Sequence, residues 1–141
     1  MIIWNKFKLK YLGLSIATGI LQFIFYSFVL TYFVISLTNK IEYTTIEEYL
    51  SSTPFIILIT VFSIMIPLII LTIMNRVIMF KIFLNPDFIN ETKLDKNKWF
   101  FSSKTKIYIF ISLHFSIPGV GIFLATTTYK NIQDNNNQII E

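Results

Sequence analysis

The sequence predicts an all-α polytopic membrane protein, three transmembrane helices in a small bundle, and three observations carry that expectation. Residues 11–39, 49–75 and 107–129 form windows without a single Asp, Glu, Lys or Arg. Only 14% of the 141 residues are charged, against about 25% in soluble domains. The basic residues gather beside alternate ends of the windows. Each window exceeds the roughly 20 residues that a helix needs to cross about 30 Å of hydrocarbon. Inside lipid every backbone N–H and C=O must be paired within its own segment, which selects helices. None of the windows alternates with the two-residue period of a membrane barrel strand.

Residues 1–10 read as a basic cytoplasmic tail, with Lys6, Lys8 and Lys10. The first span is expected over 11–37. Its apolar stretch is longer than the roughly 7–15 residues of a signal-peptide core. Its exit, Ser36-Leu37-Thr38-Asn39, lacks a small-x-small cleavage site. An uncleaved helix is therefore expected. Residues 38–53 form a short outer loop. Within it Thr45-Ile46-Glu47-Glu48 has the spacing of a capping box. Ile46, Tyr49 and Leu50 then share one face of a short interfacial helix.

The second span is expected over 54–76, its helix continuing to about 84. Ser52 and Thr53 before Pro54 supply a hydroxyl cap followed by a proline suited to a helix start. Asn85-Pro86 should stop the helix, and Pro67 should kink it. Residues 77–106 form a basic cytoplasmic loop, too small for a core of its own. The third span is expected over 107–126. Pro118-Gly119-Val120-Gly121 makes it the weakest of the three, with a kink or break there. Residues 127–141 read as a polar outer tail, disordered from 131 onward.

Orientation follows from charge. Lys6, Lys8 and Lys10 lie before the first span. Arg76, Lys81, Lys93, Lys96, Lys98, Lys104 and Lys106 lie between the second and third. These are ten of the twelve basic residues, and they mark the cytoplasmic side. The N-terminus is thus expected inside and the C-terminus outside. Trp4, Tyr11, Tyr43, Tyr49 and Trp99-Phe100-Phe101 are placed as headgroup-level aromatics. Ile, Phe, Asn and Lys share A/T-rich codons, and the membrane is expected to be that of a bacterial cell.

The candidate site residues are intramembrane polar groups and small-residue faces. His114 is the single histidine. An ionisable group inside a membrane invites a proton-carrying role. No Asp, Glu, Lys or Arg shares its span, so packing through a cross-helix hydrogen bond is the favoured role. Gln22, mid-way along the first span, suits interhelical hydrogen bonding. Gly13-x-x-x-Ala17, Ser15-x-x-x-Gly19 and Gly121-x-x-x-Ala125 permit close helix approach, and Gly13, Ala17 and Gly19 are expected to face another helix. Pro118 and Gly119 mark the break.

Enzymatic chemistry is not expected. There is no cysteine and no second histidine, no paired carboxylate inside a span and no Gly-rich phosphate loop. No cofactor or metal is implied. Nucleic acid is not an expected partner, because Asp87, Glu91 and Asp95 interrupt the basic loop. The expected partners are the lipid bilayer and another membrane protein or further copies of the chain. The favoured function is a small accessory or interaction subunit of a membrane complex, an immunity or modulator protein being one form. The alternative is a subunit of a homo-oligomeric channel or transporter lined by Gln22, His114 and neighbouring Ser and Thr residues.

Overall fold

The structure, a computed structural model, describes residues 2–38, 44–86, 88 and 104–137. Among the described residues every regular element is helical: α1 (Ile2–Thr38), α2 (Ile46–Leu50), α3 (Thr53–Phe83), α4 (Lys104–Ser116) and α5 (Val120–Asn137). Two of them, α1 and α3, are long and apolar enough to cross a membrane. The expected loop residues 89–103 and the tail residues 138–141 lie outside the described residues, as do Lys40, Tyr43, Lys93, Lys96, Lys98 and Trp99-Phe100-Phe101.

Local sequence sets the helix ends. Ser52 caps α3, its Oγ accepting the Phe55 N–H at 3.4 Å, with Pro54 in the first turn. The helix passes through Pro67 and stops at Leu84, before Asn85-Pro86. Thr45 caps α2, its Oγ1 accepting the Glu48 N–H at 3.2 Å. Glu48 answers by accepting the Thr44 N–H at 3.0 Å and hydroxyl at 2.7 Å. The box therefore closes one residue before Thr45. Ile46 and Leu50 of this short helix are exposed, and the Tyr49 ring lies 5.2 Å from that of Phe55.

Helices α1 and α3 form a long antiparallel hairpin. Ser15 pairs with Asn75, Tyr11 meets Phe83, and Trp4 meets Phe88. Helix α4 runs antiparallel to α3, with Phe110 on Phe83 and Phe115 beneath Arg76. The chain then turns over Ile117-Pro118-Gly119, where Gly119 takes φ 85°. Helix α5 runs back along α1, from Ile122 at Gly19 to Tyr129 at Trp4.

The break expected at Pro118–Gly121 divides residues 107–126 between two helices. They are the arms of a helix–turn–helix whose two ends both lie near the start of α1. Pro118 has no N–H to donate to the preceding turn, and Gly119 adopts a left-handed conformation that costs other residues more. The tail from 131 differs from expectation, since α5 continues to Asn137. Ile132 anchors it, fully buried in the core.

The core occupies one half of the long hairpin. Trp4 and Tyr11 of α1, Met79, Ile82 and Phe83 of α3, Ile107, Phe110 and Ile111 of α4, and Ala125 and Ile132 of α5 are all buried together with Phe88. The other half of α1 and α3 presents large apolar side chains outward, among them Leu30, Phe33, Leu37, Ile56, Ile59 and Phe62.

The Glu48 bonds generate one prediction. Its carboxyl is held below the ordinary glutamate value, first by the Thr44 hydroxyl and then by the Thr44 N–H. A lowered value in the folded state means that the contribution to α2 is present above the unfolded-state value and fades as pH falls through the folded one. Titration of the Glu48 carboxyl by NMR should give a value below that of a model glutamate, and Thr44→Val should raise it. An unchanged value in Thr44→Val would refute the assignment.

Candidate functional site

Helices α1, α3, α4 and α5 each contribute one stripe to the core, and the stripes carry the polar side chains inward. On α1 the stripe is Trp4, Tyr11, Ser15, Thr18 and Gln22, all buried. The steps of seven, four, three and four keep them on one helical face. On α3 it is Asn75, Met79, Ile82 and Phe83. On α4 it is Ile107, Phe110, Ile111 and His114. On α5 it is Gly121, Ala125, Thr128 and Ile132.

His114 sits at the meeting point of three helices. Its Nδ1 lies 3.0 Å from the Phe110 carbonyl oxygen, which can only accept, so Nδ1 carries the proton. In the neutral ring Nε2 then accepts from the Tyr11 hydroxyl, 3.0 Å away. Thr128 of α5 is the other side-chain partner of that phenol. Phe110 packs edge-on to the imidazole with ring centroids 4.6 Å apart. Both ring nitrogens are thereby occupied, and no group of three His, Cys, Asp or Glu residues able to hold a metal exists among the described residues. The Tyr11–His114 bond ties α1 to α4, and the His114 carbonyl meets Gly121 of α5.

A second tie joins α1 to α3. The Asn75 amide donates to Ser15 Oγ at 3.1 Å, both residues being buried. A third sits at the turn. Gln22 Nε2 donates to the Phe115 carbonyl at 3.2 Å, one of the last four carbonyls of α4, which lack a partner in their own helix. Gln22 thus reaches the residue beside His114 and not the imidazole. Because a carbonyl accepts only, this bond fixes which end of the Gln22 amide faces α4. Among the described residues the amide Oε1 and the Thr18 hydroxyl have no hydrogen-bond partner.

The small residues divide. Gly19 lies against Ile122, which occupies the space where a side chain would begin. Gly121 packs against the His114 carbonyl, and a Cβ there would collide with backbone. Ala125 is fully buried. Gly13 and Ala17 correct their expected role: both are exposed, and a Cβ on Gly13 would meet nothing. They lie two positions from Tyr11 and Ser15, about 200° around the helix and so opposite the packed stripe. Gly119 is exposed, and Pro118 is half-buried beside it.

Trp4 and Tyr11, expected at headgroup level, are instead 2% and 0% exposed. The buried polar residues that composition and windows passed over are Thr18, Asn75 and Thr128, and Tyr11 is buried beyond the headgroup-level role that its position suggests. The four-three-four spacing of Tyr11, Ser15, Thr18 and Gln22 is the signal that would have found the α1 set. No protein-family model, curated protein or solved structure matches the chain.

Two predictions follow from the ties. Tyr11→Phe leaves the His114 Nε2 without its donor and should cost about 1–2 kcal/mol of stability, whereas Tyr108→Phe, at an exposed ring, should cost nothing measurable. Unfolding in detergent with Ser15→Ala, Asn75→Ala and the double variant should give a coupling of roughly 0.6–1.7 kcal/mol. Equal Tyr11→Phe and Tyr108→Phe values would refute the three-helix tie. The glycines make the second case: Gly121→Ala should lower the unfolding temperature by several degrees, while Gly13→Ala should be neutral or add about 0.5–1 kcal/mol. The reverse order would refute the α4–α5 approach.

Proposed function

We propose that the chain is a small non-enzymatic integral membrane protein that serves as an accessory or interaction subunit of a membrane complex. The observation that carries this reading is the inverted distribution of side chains. Ser15, Thr18, Gln22, Asn75, His114 and Thr128 are buried, while large apolar residues cover the outside of α1 and α3. The most apolar windows of these two helices are only 6% and 0% buried, the opposite of helices in the core of a soluble protein. The outward hydroxyls of Ser27, Thr31, Thr60, Ser63 and Ser116 donate to carbonyls four residues back, at 2.8–2.9 Å. Such bonds suit a surface without water.

In this reading α1 and α3 span the bilayer. The α4–α5 unit enters from the basic side and returns to it, with its turn at the level of Gly19 and Gln22. Tyr11 to Gln22 is about 17 Å of helix, roughly half of the 30 Å hydrocarbon thickness. Lys104, Lys106 and Lys130 then stay with Lys6, Lys8 and Lys10 on the cytoplasmic side, and so does the C-terminal end of α5. This replaces the expected outer C-tail. Tyr11 with His114, and Ser15 with Asn75, are bonded across the helices, which weighs against a conducting path and favours recognition through the bare outer half of α1 and α3.

Single cysteines at Asn5, Glu47 and Asn136, probed on intact cells with an impermeant thiol reagent, should label at 47 alone. Labelling at 136 would restore a third crossing. Purification in mild detergent should recover a stoichiometric integral membrane partner, lost in Phe33→Ala/Phe62→Ala. A homo-oligomer that conducts ions in liposomes would overturn the reading in favour of a channel.

A further inference from the structure

The groove between α1 and α3, beside the α4–α5 turn, has a volume of about 360 Å³, within the roughly 300–1,000 Å³ of ligand sites. Arg76 and Thr72, with Phe115, stand nearer the basic end, and Gln22, level with Leu68 and Ile69 by the Ser15–Asn75 register, stands farther in. The inner end of the groove is otherwise apolar, with Tyr26, Leu68 and Ile69. Arg76 is the one charged residue in the wall, and no carboxylate lines the groove. Among the described residues its guanidinium makes no ion pair and rests over the Phe115 ring, 4.9 Å from the centroid.

Depth decides what such a group would bind. Asn75 pairs with Ser15, which stands five residues, about 7.5 Å, beyond Lys10 along α1. Arg76 therefore lies where the basic end gives way to the charge-free windows. A bare guanidinium at the centre of a span is costly, less so toward its ends, and an anion in the groove relieves that cost. Guanidinium and phosphate match in a planar, two-point contact. The apolar end of the groove lies one to two turns farther along α3, toward the middle of the hairpin. Its polarity thus runs as a phospholipid does, headgroup at the basic end and acyl chain inward.

We propose that this groove binds an anionic phospholipid of the basic-side leaflet, with Arg76 as the phosphate contact and Tyr26, Leu68 and Ile69 against an acyl chain. The site rests on the membrane reading above but not on any partner, and it is tested on the isolated chain in detergent. Thermal unfolding of the full chain would be followed with added dioleoylphosphatidylglycerol, dioleoylphosphatidylcholine or inorganic phosphate. The anionic lipid should raise the unfolding temperature by roughly 5 °C near saturation. The zwitterionic lipid and inorganic phosphate should give much smaller shifts. Arg76→Gln should lose the shift, Arg76→Lys should keep part of it, and Lys10→Gln, at the same end of the molecule, should keep it whole. Native mass spectrometry of the wild-type chain in an equimolar lipid mixture should show the anionic lipid retained preferentially, a measurement that needs no variant to fold. An undiminished shift in Arg76→Gln, equal retention of the two lipids, or a full shift with inorganic phosphate alone would each overturn the proposal, the last in favour of a free-anion site.

Discussion

The Phe115 carbonyl is the group on which the rest of the fold depends. Pro118 and Gly119 end α4 in apolar surroundings, and the terminal carbonyls of a helix have no partner of their own. An unpaired group there costs several kcal/mol in hydrocarbon. Gln22 Nε2 supplies the missing donor, and to do so α4 must lie beside α1 at one height. That height brings His114 to Tyr11 and Ile122 to Gly19. Gly121 then has to be glycine, because the returning helix passes against the His114 carbonyl.

The three polar ties have a common logic. Between helices whose outsides are as apolar as lipid, burial of hydrocarbon gives little preference for one arrangement over another. Specificity then comes from close packing and from polar groups that find a partner in one register only. Tyr11–His114, Ser15–Asn75 and Gln22–Phe115 define such a register, and the aromatic rings of Trp4, Phe83 and Phe110 pack around the first. Arg76 is the exception: its charge is turned to the groove and leans on one ring.

Much of this was legible in the residues. The start and end of α3 follow from Ser52, Pro54 and Asn85-Pro86, and the capping of α2 from Thr45 and Glu48. Gln22 stood out as a polar side chain in an apolar run, and its amide N–H meets the Phe115 carbonyl. The Pro118–Gly121 segment announced a break, but its spacing does not say whether the chain continues across or folds back. That depends on Gln22 and Gly19, about a hundred residues earlier. The small-residue pairs misled at Gly13 and Ala17, because the motif records size and not direction. The direction lay in the polar stripe from Tyr11 to Gln22, two positions out of phase. Tyr11 itself resembles an interfacial anchor until the histidine that occupies its hydroxyl is placed beside it.

The Gln22–Phe115 bond spans 93 positions of chain, and this separation has a consequence for the order of biogenesis. Helix α1 is synthesised early with its polar face open, and α3 covers only the part near Ser15. The antiparallel pair can form from segments adjacent in sequence, as independently stable spans do before they associate. Helix α4 brings the acceptors for Gln22 and Tyr11 only after α1 and α3 have been made. Until then the Gln22 N–H must donate elsewhere, and anything that shields this face of α1 during that interval occupies the surface that α4 and α5 later close.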